Sequence, residues 1–350
     1  MLISNMTDTK KIIMKTIEFT QRDWIYRVHQ KPLDEYDFEV IDPLKTPKPQ
    51  YLYKHFSLSK NSIDSLLNNY LYASHPLQLN DPYECNKRIF NLDPTPLSIF
   101  QNFLGVLEKD DKKFSIREMF YHQRQELNDL FLESFWQLMY SKCGIVSMSD
   151  KPTNIQMWAY YSKLDGFQIK LNTQRIPENF KGPLKLRYSS ILKKIPIENN
   201  FFLPVLYQMT NKENNWDHES EWRYVVVGPS EMEVPLSIFR NQQKSPHNRK
   251  FPYDISALIE VTLGCYFFQP DEFSKIEKNH SLFDLSKSES INTALRINLL
   301  NYLVSHPEVE TKLIFWEKHA KYELIKVPFR LDKKDDKLFE IWFETEQNVS

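Results

Sequence analysis

The chain has 350 residues, enough for one large domain with insertions or for two modest domains. Charged residues make up 26% of the chain and cancel to a formal net charge of −1, so charge alone favours neither nucleic acid nor a membrane surface as a partner. The six glycines are isolated from one another, which excludes a Rossmann dinucleotide-binding turn, a Walker phosphate-binding loop and the nucleophile elbow of α/β-hydrolases.

The first half of the chain predicts a lead-in, a mixed segment and a helical insertion. Residues 1–48 are predicted to be an irregular lead-in that ends in a proline-rich stretch. A single α+β domain then spans 49–330 and opens with the strand YLYKHFSL, the helix NSIDSLLNNYLY and the strand LYASHP. Between about 95 and 142, apolar residues such as Leu127, Phe131 and Phe135 follow helical spacing and predict a helical insertion whose apolar stripe packs in a core.

The second half alternates strands and helices irregularly. Strands are predicted at CGIVSMS, DGFQIKLN, LKLRYS, EWRYVVVG, ALIEVTLGCYF, ETKLIFWE and YELIKVPF. Helices are predicted at IQMWAYYSKL, at PVLYQMTNK, near 270–280 and near 287–305, and residues 331–350 are predicted to be a C-terminal tail. Short connections between several strands favour an α+β fold with a mixed, largely antiparallel sheet over a doubly wound parallel sheet.

Cysteine usage and hydropathy predict the compartment. The three cysteines are far apart and odd in number, so a reducing compartment is the simplest interpretation. The N-terminus lacks the sustained apolar core of a signal peptide, and no run of about eighteen apolar residues is present. We therefore expect a cytoplasmic protein that does not span a membrane.

Tyr53, Lys54 and His55 follow one another on the first strand of the domain. Residues two apart share a face of a strand, so Tyr53 and His55 point one way and Lys54 points the other. Taken alone, the three residues fit either packing at a strand edge or a ligand site.

The sequence SHPLQLNDPYE, from Ser74 to Glu84, favours a rigid turn. The side chains of Asn80 and Asp81 can bond nearby backbone amides, and the proline after them fixes its own backbone angle. The loop is either purely structural or places Asn80, Asp81 and Glu84 at the mouth of a sheet, where ligand-binding loops are common.

Four bulky side chains stand within five positions at Met157, Trp158, Tyr160 and Tyr161. On a helix, Trp158 and Tyr161 lie three apart and share a face. The four cannot all face inward, so either the segment is ordinary core or at least one aromatic ring borders a cleft.

The sequence WDHESEWRY carries the most specific polar pattern in the chain. In a strand, Glu219, Glu221 and Arg223 fall on one face, and Trp222 and Tyr224 fall on the other. The apolar face belongs to a core, whereas two carboxylates beside an arginine form either a surface ion-pair ladder or a site. Surface ion pairs contribute only about 0–1 kcal/mol, so a ladder has little structural purpose.

These four segments, in this order, resemble the bacterial domain-of-unknown-function family numbered 2971. The family pattern has a Tyr-Lys strand, an Asn-Asp-Pro loop, a Met-Trp segment before a glycine-containing strand, and a Glu-x-Glu-Trp-Arg strand. The resemblance covers about residues 50–330, and His55 stands where an aromatic residue is more usual. The matching residues are Tyr53, Lys54, Ser74, Asn80, Asp81, Pro82, Glu84, Met157, Trp158, Tyr161, Gly166, Phe167, Trp216, Glu219, Glu221, Trp222, Arg223 and the segment from Ile259 to Gly264.

The order of the motifs is also similar to that of ADP-ribosyltransferase-like proteins, which carry an aromatic or basic residue on an early strand and a glutamate on a late strand. This resemblance implies an enzyme that uses NAD as substrate and breaks its nicotinamide–ribose bond. Glu221 is then expected to stabilise positive charge at the anomeric carbon, and Glu219 to orient the acceptor or take its proton. Tyr53 completes the catalytic set.

The same resemblance implies residues that bind NAD. Aromatic rings are expected to stack on nicotinamide, and a cationic side chain to meet the pyrophosphate. The expected NAD-binding residues are Lys54, His55, Tyr72, Ser74, Asn80, Asp81, Trp158, Tyr161 and Arg223, and no metal site is expected.

The acceptor is expected to be a macromolecule, either nucleic acid or protein. The implied setting is a bacterial toxin or phage-defence effector, which a neutralising antitoxin protein would restrain. Two alternatives remain open. A metal-dependent nuclease would gather magnesium ligands from Asp81, Glu84, Glu219 and Glu221. A non-catalytic binding module would form a recognition surface from Trp158, Tyr160, Tyr161 and Trp216.

Overall fold

A large β-sheet with helices packed on both faces dominates the computed structural model of the protein. The structure describes residues 15–31, 36–81, 83–86, 89–105, 115–197, 201–228, 232, 249–277, 279–288, 290–316 and 323–343. Its strands are β1 (Lys15–Gln21), β2 (Trp24–Gln30), β3 (Tyr36–Ile41), β4 (Tyr51–Phe56), β5 (Tyr70–Tyr72), β6 (Phe90–Asn91), β7 (Cys143–Ser149), β8 (Phe167–Asn172), β9 (Phe180–Lys185), β10 (Arg187–Tyr188), β11 (Ile195–Pro196), β12 (Asn211–Lys212), β13 (Glu221–Val227), β14 (Lys250–Pro252), β15 (Leu258–Leu263), β16 (Phe273–Glu277), β17 (His280–Asp284), β18 (Glu310–Trp316), β19 (Leu324–Lys333) and β20 (Leu338–Phe343). Its α-helices are α1 (Lys60–Leu67), α2 (Leu97–Leu104), α3 (Ile116–His122), α4 (Arg124–Lys142), α5 (Ile155–Tyr160), α6 (Phe202–Met209) and α7 (Thr293–Ser305).

Eleven strands form the main sheet, in the order β16-β17-β20-β19-β18-β15-β8-β4-β7-β13-β9. Neighbouring strands in this sheet are antiparallel, except β15 and β18, which are parallel. The predictions of an α+β class and of a largely antiparallel sheet are therefore confirmed.

Strand β13 shows how the sheet carries a hydrophobic core on each face. Its residues Tyr224 and Val226 pack in one core with Leu66 of α1 and Leu299 of α7. Val225, which points to the opposite face, packs in a second core with α2, α4 and α6. Burial on both faces explains why EWRYVVV reads as an almost continuous apolar run after its first polar residues.

Helices α2, α3 and α4 confirm the helical character of the predicted insertion, in the part of it that the structure describes. Leu127, Phe131, Phe135 and Met139 are buried, and the rings of Phe131 and Phe135 stack with centroids 5.8 Å apart. The apolar stripe is therefore core, as expected. Among the described residues, no helix is both long enough and apolar enough to cross a membrane.

Three predictions of secondary structure are wrong. Residues 15–41 of the supposed lead-in form the antiparallel sheet β1-β2-β3, in which Tyr26 and Val28 are buried. The supposed tail from 331 begins inside β19, and β20 extends the main sheet as far as Phe343. The segment near 270–280 contains a 3₁₀ turn at Pro270–Glu272 followed by β16 instead of one helix. Apolar and polar residues alternate in these segments, for example Ile17 and Phe19 in β1, which favours strands. Residues 1–14 and 344–350 lie outside the described residues.

Candidate functional site

The main sheet has a gap between β4 and β7. Strand β4 pairs with β8 from Tyr51 to Phe56, but it pairs with β7 only through Tyr53 and Ser149. A cavity of about 200 Å³ adjoins this gap and is lined from both strands, by Tyr53, Lys54 and His55 of β4 and by Ser147 and Met148 of β7. We call this space the inner cavity.

Nine of the residues proposed from the sequence line the inner cavity. They come from the four separated segments that carry the motifs. They include Glu221, the carboxylate expected to stabilise positive charge at the anomeric carbon. The nine are Tyr53, Lys54, His55, Ser74, Asn80, Tyr161, Glu219, Glu221 and Arg223. The folded chain therefore brings these motifs together in space.

The other three proposed residues lie outside the inner cavity. Asp81 lines an adjoining cavity. Tyr72 is 38% exposed at the end of β5, and its hydroxyl donates to Gln78 Oε1 at 3.4 Å. Trp158 is fully buried, donates from Nε1 to the carbonyl of Pro152 at 3.0 Å and packs edge-on against His55. A ring without solvent exposure cannot stack on a ligand, so Trp158 supports His55 instead.

A buried network of three carboxyl groups and two cationic groups adjoins the inner cavity, and all of its members except Glu84 line it. Lys212 Nζ donates to Glu219 Oε2 at 2.6 Å and to Glu221 Oε2 at 3.1 Å. Arg223 donates from Nε to Glu221 Oε1 and from Nη2 to Glu84 Oε1, both at 2.7 Å. All five side chains are buried, which excludes the surface ion-pair ladder.

Glu219 and Glu221 meet at Lys212, but the prediction that they share a strand is wrong. Glu219 ends a 3₁₀ helix that begins at Asn214, and β13 begins at Glu221. Ser220 between them has a φ of 44°, a left-handed conformation that reverses the chain. The hydroxyl of Ser149 donates to the carbonyl of Glu219 at 2.7 Å and holds the turn against β7.

Burial and pairing set the protonation of the network. Burial opposes the charge on Glu221, but Arg223 and Lys212 outweigh it and lower the pKa of Glu221 to about 2. Burial raises the pKa of Glu84 above its ordinary value, in spite of the neighbouring Arg223. Glu221 is therefore a fixed negative charge. As the pH falls, Glu84 takes up a proton at a higher pH than Glu221 does.

The guanidinium group of Arg223 is engaged within the protein. Besides its bonds to Glu221 and Glu84, it donates from Nη1 to the carbonyl of Met209 at 2.7 Å. The side chain has no solvent exposure. Either Lys54 or Arg223 was expected to meet the pyrophosphate, and in this structure Arg223 instead holds the two carboxyl groups.

A chain of hydrogen bonds joins the network to the Asn80 loop. Asn80 Nδ2 donates to the oxygen of Tyr161 at 2.6 Å, and the Tyr161 hydroxyl donates to Glu219 Oε1. Burial and the nearby Glu219 raise the pKa of Tyr161 well above its usual range, so the hydroxyl keeps its proton. Glu219 is thus held on one oxygen by a phenol and on the other by Lys212.

Lys54 and His55 present different chemistry to the inner cavity. Lys54 Nζ donates to the carbonyl of Ser147 at 3.0 Å, and burial lowers the pKa of Lys54 to about 8. Burial, with Lys326 nearby, lowers the pKa of His55 to about 3, so the ring is neutral. Gln168 Oε1 accepts from Lys326, so its Nε2 donates to His55 Nε2 at 2.7 Å. The proton of His55 therefore lies on Nδ1.

A larger cavity of about 730 Å³ adjoins the inner one, since Asn80 and Tyr161 line both. We call it the outer cavity. Tyr160 and Tyr161 line it, which confirms that the aromatic segment borders a cleft, and Tyr83 and Tyr160 are 69% and 70% exposed. The lining residues are Asn80, Asp81, Tyr83, Tyr160, Tyr161, Glu213, Asn215, Trp216 and His218.

Lys212 is a charged residue of the inner cavity that the sequence interpretation missed. It lies on β12, a strand of two residues, where no periodic pattern can mark its direction. The one signal available was its position, seven residues before Glu219 and nine before Glu221. Glu84 was noticed through the family pattern but not as a partner of Arg223.

Comparisons with protein-family models, with curated proteins and with solved structures found no match to this chain. The resemblance to family 2971 and the ADP-ribosyltransferase-like arrangement therefore stay predictions. Gly166, a residue of that pattern, cannot be replaced without a shift of the backbone, because a Cβ atom there would lie 2.0 Å from the carbonyl oxygen of Phe56. Pro82, another residue of the pattern, lies outside the described residues.

Proposed function

We propose that the protein is an ADP-ribosyltransferase-like enzyme that breaks the nicotinamide–ribose bond of NAD and transfers ADP-ribose to a macromolecular acceptor. The observation that carries the proposal is the convergence of Tyr53, His55, Glu219 and Glu221 on one cavity. The size of the cavity supports it. A cavity of about 150 Å³ holds benzene, so about 200 Å³ accommodates the nicotinamide ring and a few further atoms.

The side chains of the inner cavity suit the charges that this reaction creates. Cleavage builds positive charge at the anomeric carbon, and the ionised Glu221 supplies a fixed negative charge beside it. Glu219 is the group that takes the proton of the acceptor, since Tyr161 and Lys212 orient its two oxygens. The Nδ1 proton of His55 is buried and has no acceptor among the described residues, so a carboxamide oxygen that reaches it would satisfy it.

The contacts of the carboxyl groups argue against the metal-dependent nuclease. Glu84, Glu219 and Glu221 bond to Lys212 or Arg223, whose charges stand where a magnesium ion would have to bind them. In the part of the chain that the structure describes, no group of three or more His, Cys, Asp or Glu side chains is arranged to hold a metal ion.

The test is incubation of the purified protein with labelled NAD and bacterial lysate, with nicotinamide release and label transfer as the readouts. Glu221→Gln should lower both by roughly 100-fold or more, because it removes the fixed charge from the reacting centre. The matched control is Glu178→Gln, an exposed carboxylate away from both cavities, which should behave as wild type.

Circular dichroism of each variant separates loss of activity from loss of fold. Equal turnover in Glu221→Gln and wild type would contradict the proposal. Turnover that needs magnesium but no NAD would favour the nuclease, and binding of a partner without turnover would favour the binding module. The proposed setting is a cytoplasmic toxin or phage-defence effector, with an antitoxin protein as a further partner.

A further inference from the structure

The outer cavity combines aromatic rings with negative charge. Its acidic lining residues are Asp81 and Glu213, and within the described part of the chain no lysine or arginine lines it. The phenol rings of Tyr83 and Tyr160 are largely exposed, whereas Trp216 already has Lys212 Nζ 4.8 Å from its ring centroid. Aromatic faces beside carboxylates attract organic cations and repel the phosphates of a nucleic acid.

Asp81 gives an independent reason to expect a cation. Its side chain is 4% exposed, and Oδ1 accepts from the backbone amide of Tyr83 at 2.8 Å. Oδ2 is buried and has no hydrogen-bond partner among the described residues. A buried carboxylate oxygen without a donor is unfavourable, so a ligand that brings an N–H group to this wall of the outer cavity satisfies it.

We propose that the outer cavity binds the basic side chain of a protein, which makes a protein rather than a nucleic acid the acceptor of the transfer. That the bound protein is an acceptor rests on the proposed function, but binding of its side chain does not require NAD. Asp81 Oδ2 and Glu213 pair with the cationic end of the side chain, and the rings of Tyr83 and Tyr160 flank it.

The lining residues that the two cavities share indicate where such a side chain reacts. Tyr161 lines both cavities and bonds to Glu219, so a nitrogen that passes Tyr161 arrives at the carboxylate that takes its proton. In the transfer, that nitrogen bonds to the anomeric carbon while the bond to nicotinamide breaks and its electron pair leaves with neutral nicotinamide. The proton lost by the nitrogen goes to Glu219.

The test measures binding without NAD, by calorimetry at low salt. The probes are a short Gly-Ser peptide with one central arginine, the same peptide with citrulline, which is neutral and nearly isosteric, and a single-stranded oligonucleotide. We expect the arginine peptide to bind at least roughly tenfold more tightly than the other two, which corresponds to about 1.4 kcal/mol. Asp81→Asn and Glu213→Gln should each remove most of this preference, and the exposed neighbour Asp217→Asn should keep it.

Equal affinity for the arginine and citrulline peptides, or tighter binding of the oligonucleotide, would overturn the inference. Using two variants guards against misfolding, since Asp81 also holds the amide of Tyr83 whereas Glu213 caps a separate 3₁₀ helix. Arginine-selective binding without nicotinamide release would uphold the cation site and refute the transferase. Nicotinamide release with label in nucleic acid and no peptide binding would uphold the transferase and refute the cation site.

Discussion

Replacing Lys54 by methionine should stabilise the fold at neutral pH while it weakens the site. Lys54 carries its amine into the inner cavity, where Nζ bonds to the carbonyl of Ser147. Burial lowers the pKa of Lys54 from 10.5 to about 8, although Glu221 acts in the opposite direction. Methionine fills similar space without a charge, so the variant avoids burying an ammonium group.

The pKa gives the size and the sign of the effect. A difference of about 2.5 pKa units corresponds to about 3 kcal/mol. Some solvent reaches the side chain, so we expect the free energy of unfolding to rise by about 1–3 kcal/mol in Lys54→Met. Below about pH 8 both the folded and the unfolded chain hold the proton, and the gain is complete. Between about 8 and 10.5 the folded wild type releases the proton first and recovers stability, so the gain shrinks.

Urea denaturation of wild type and Lys54→Met at about pH 7 and about pH 10 measures this difference. Lys60→Met, at an exposed lysine at the start of α1, controls for the loss of a surface charge. Lower stability of Lys54→Met at neutral pH would refute the reasoning, and so would a gain of equal size at both pH values. A gain in stability together with weaker NAD binding is the pattern expected of a residue kept for function.

Three further predictions concern the same cavity. Arg223→Met removes one of the two cations that pair with the buried Glu221 and Glu84 and leaves only Lys212, so it should lower the free energy of unfolding by about 3–5 kcal/mol in urea titrations. A loss below about 1 kcal/mol would be inconsistent with the network. Tyr161→Phe removes the donor to Glu219 and should slow nicotinamide release roughly tenfold or more, at a cost of only about 1 kcal/mol in stability. NAD affinity should fall as the pH rises through about 8, because Lys54 loses its charge there, and a flat titration of the dissociation constant between neutral and alkaline pH would count against its role.

Alternation along strand β13 made part of the site predictable. Because side chains two apart share a face, the sequence places Glu221 and Arg223 together and Trp222 opposite them, and the structure agrees. Glu219 was placed correctly near Glu221 but for the wrong reason. The left-handed Ser220 interrupts the strand, and a serine in that conformation leaves no pattern in the sequence.

Long-range contacts explain the features that were not predictable. The gap between β4 and β7 depends on strands that are about 90 residues apart and pair through Tyr53 and Ser149, and no local pattern encodes that pairing. Lys212 reaches Glu219 and Glu221 from a strand of two residues. The helical insertion was predictable because its apolar stripe repeats over several turns, whereas the short alternating strand β1 was mistaken for an irregular segment.

The central claim is that nicotinamide binds in the inner cavity, next to Glu219 and Glu221. The most direct test is a crystal structure of the protein with an unreactive carbocyclic analogue of NAD. We predict the nicotinamide ring in the gap between β4 and β7, with its carboxamide oxygen at His55 Nδ1 and its ribose beside the two carboxylates. A ring bound elsewhere, or crystals in which a saturating analogue leaves the inner cavity unchanged, would contradict the account.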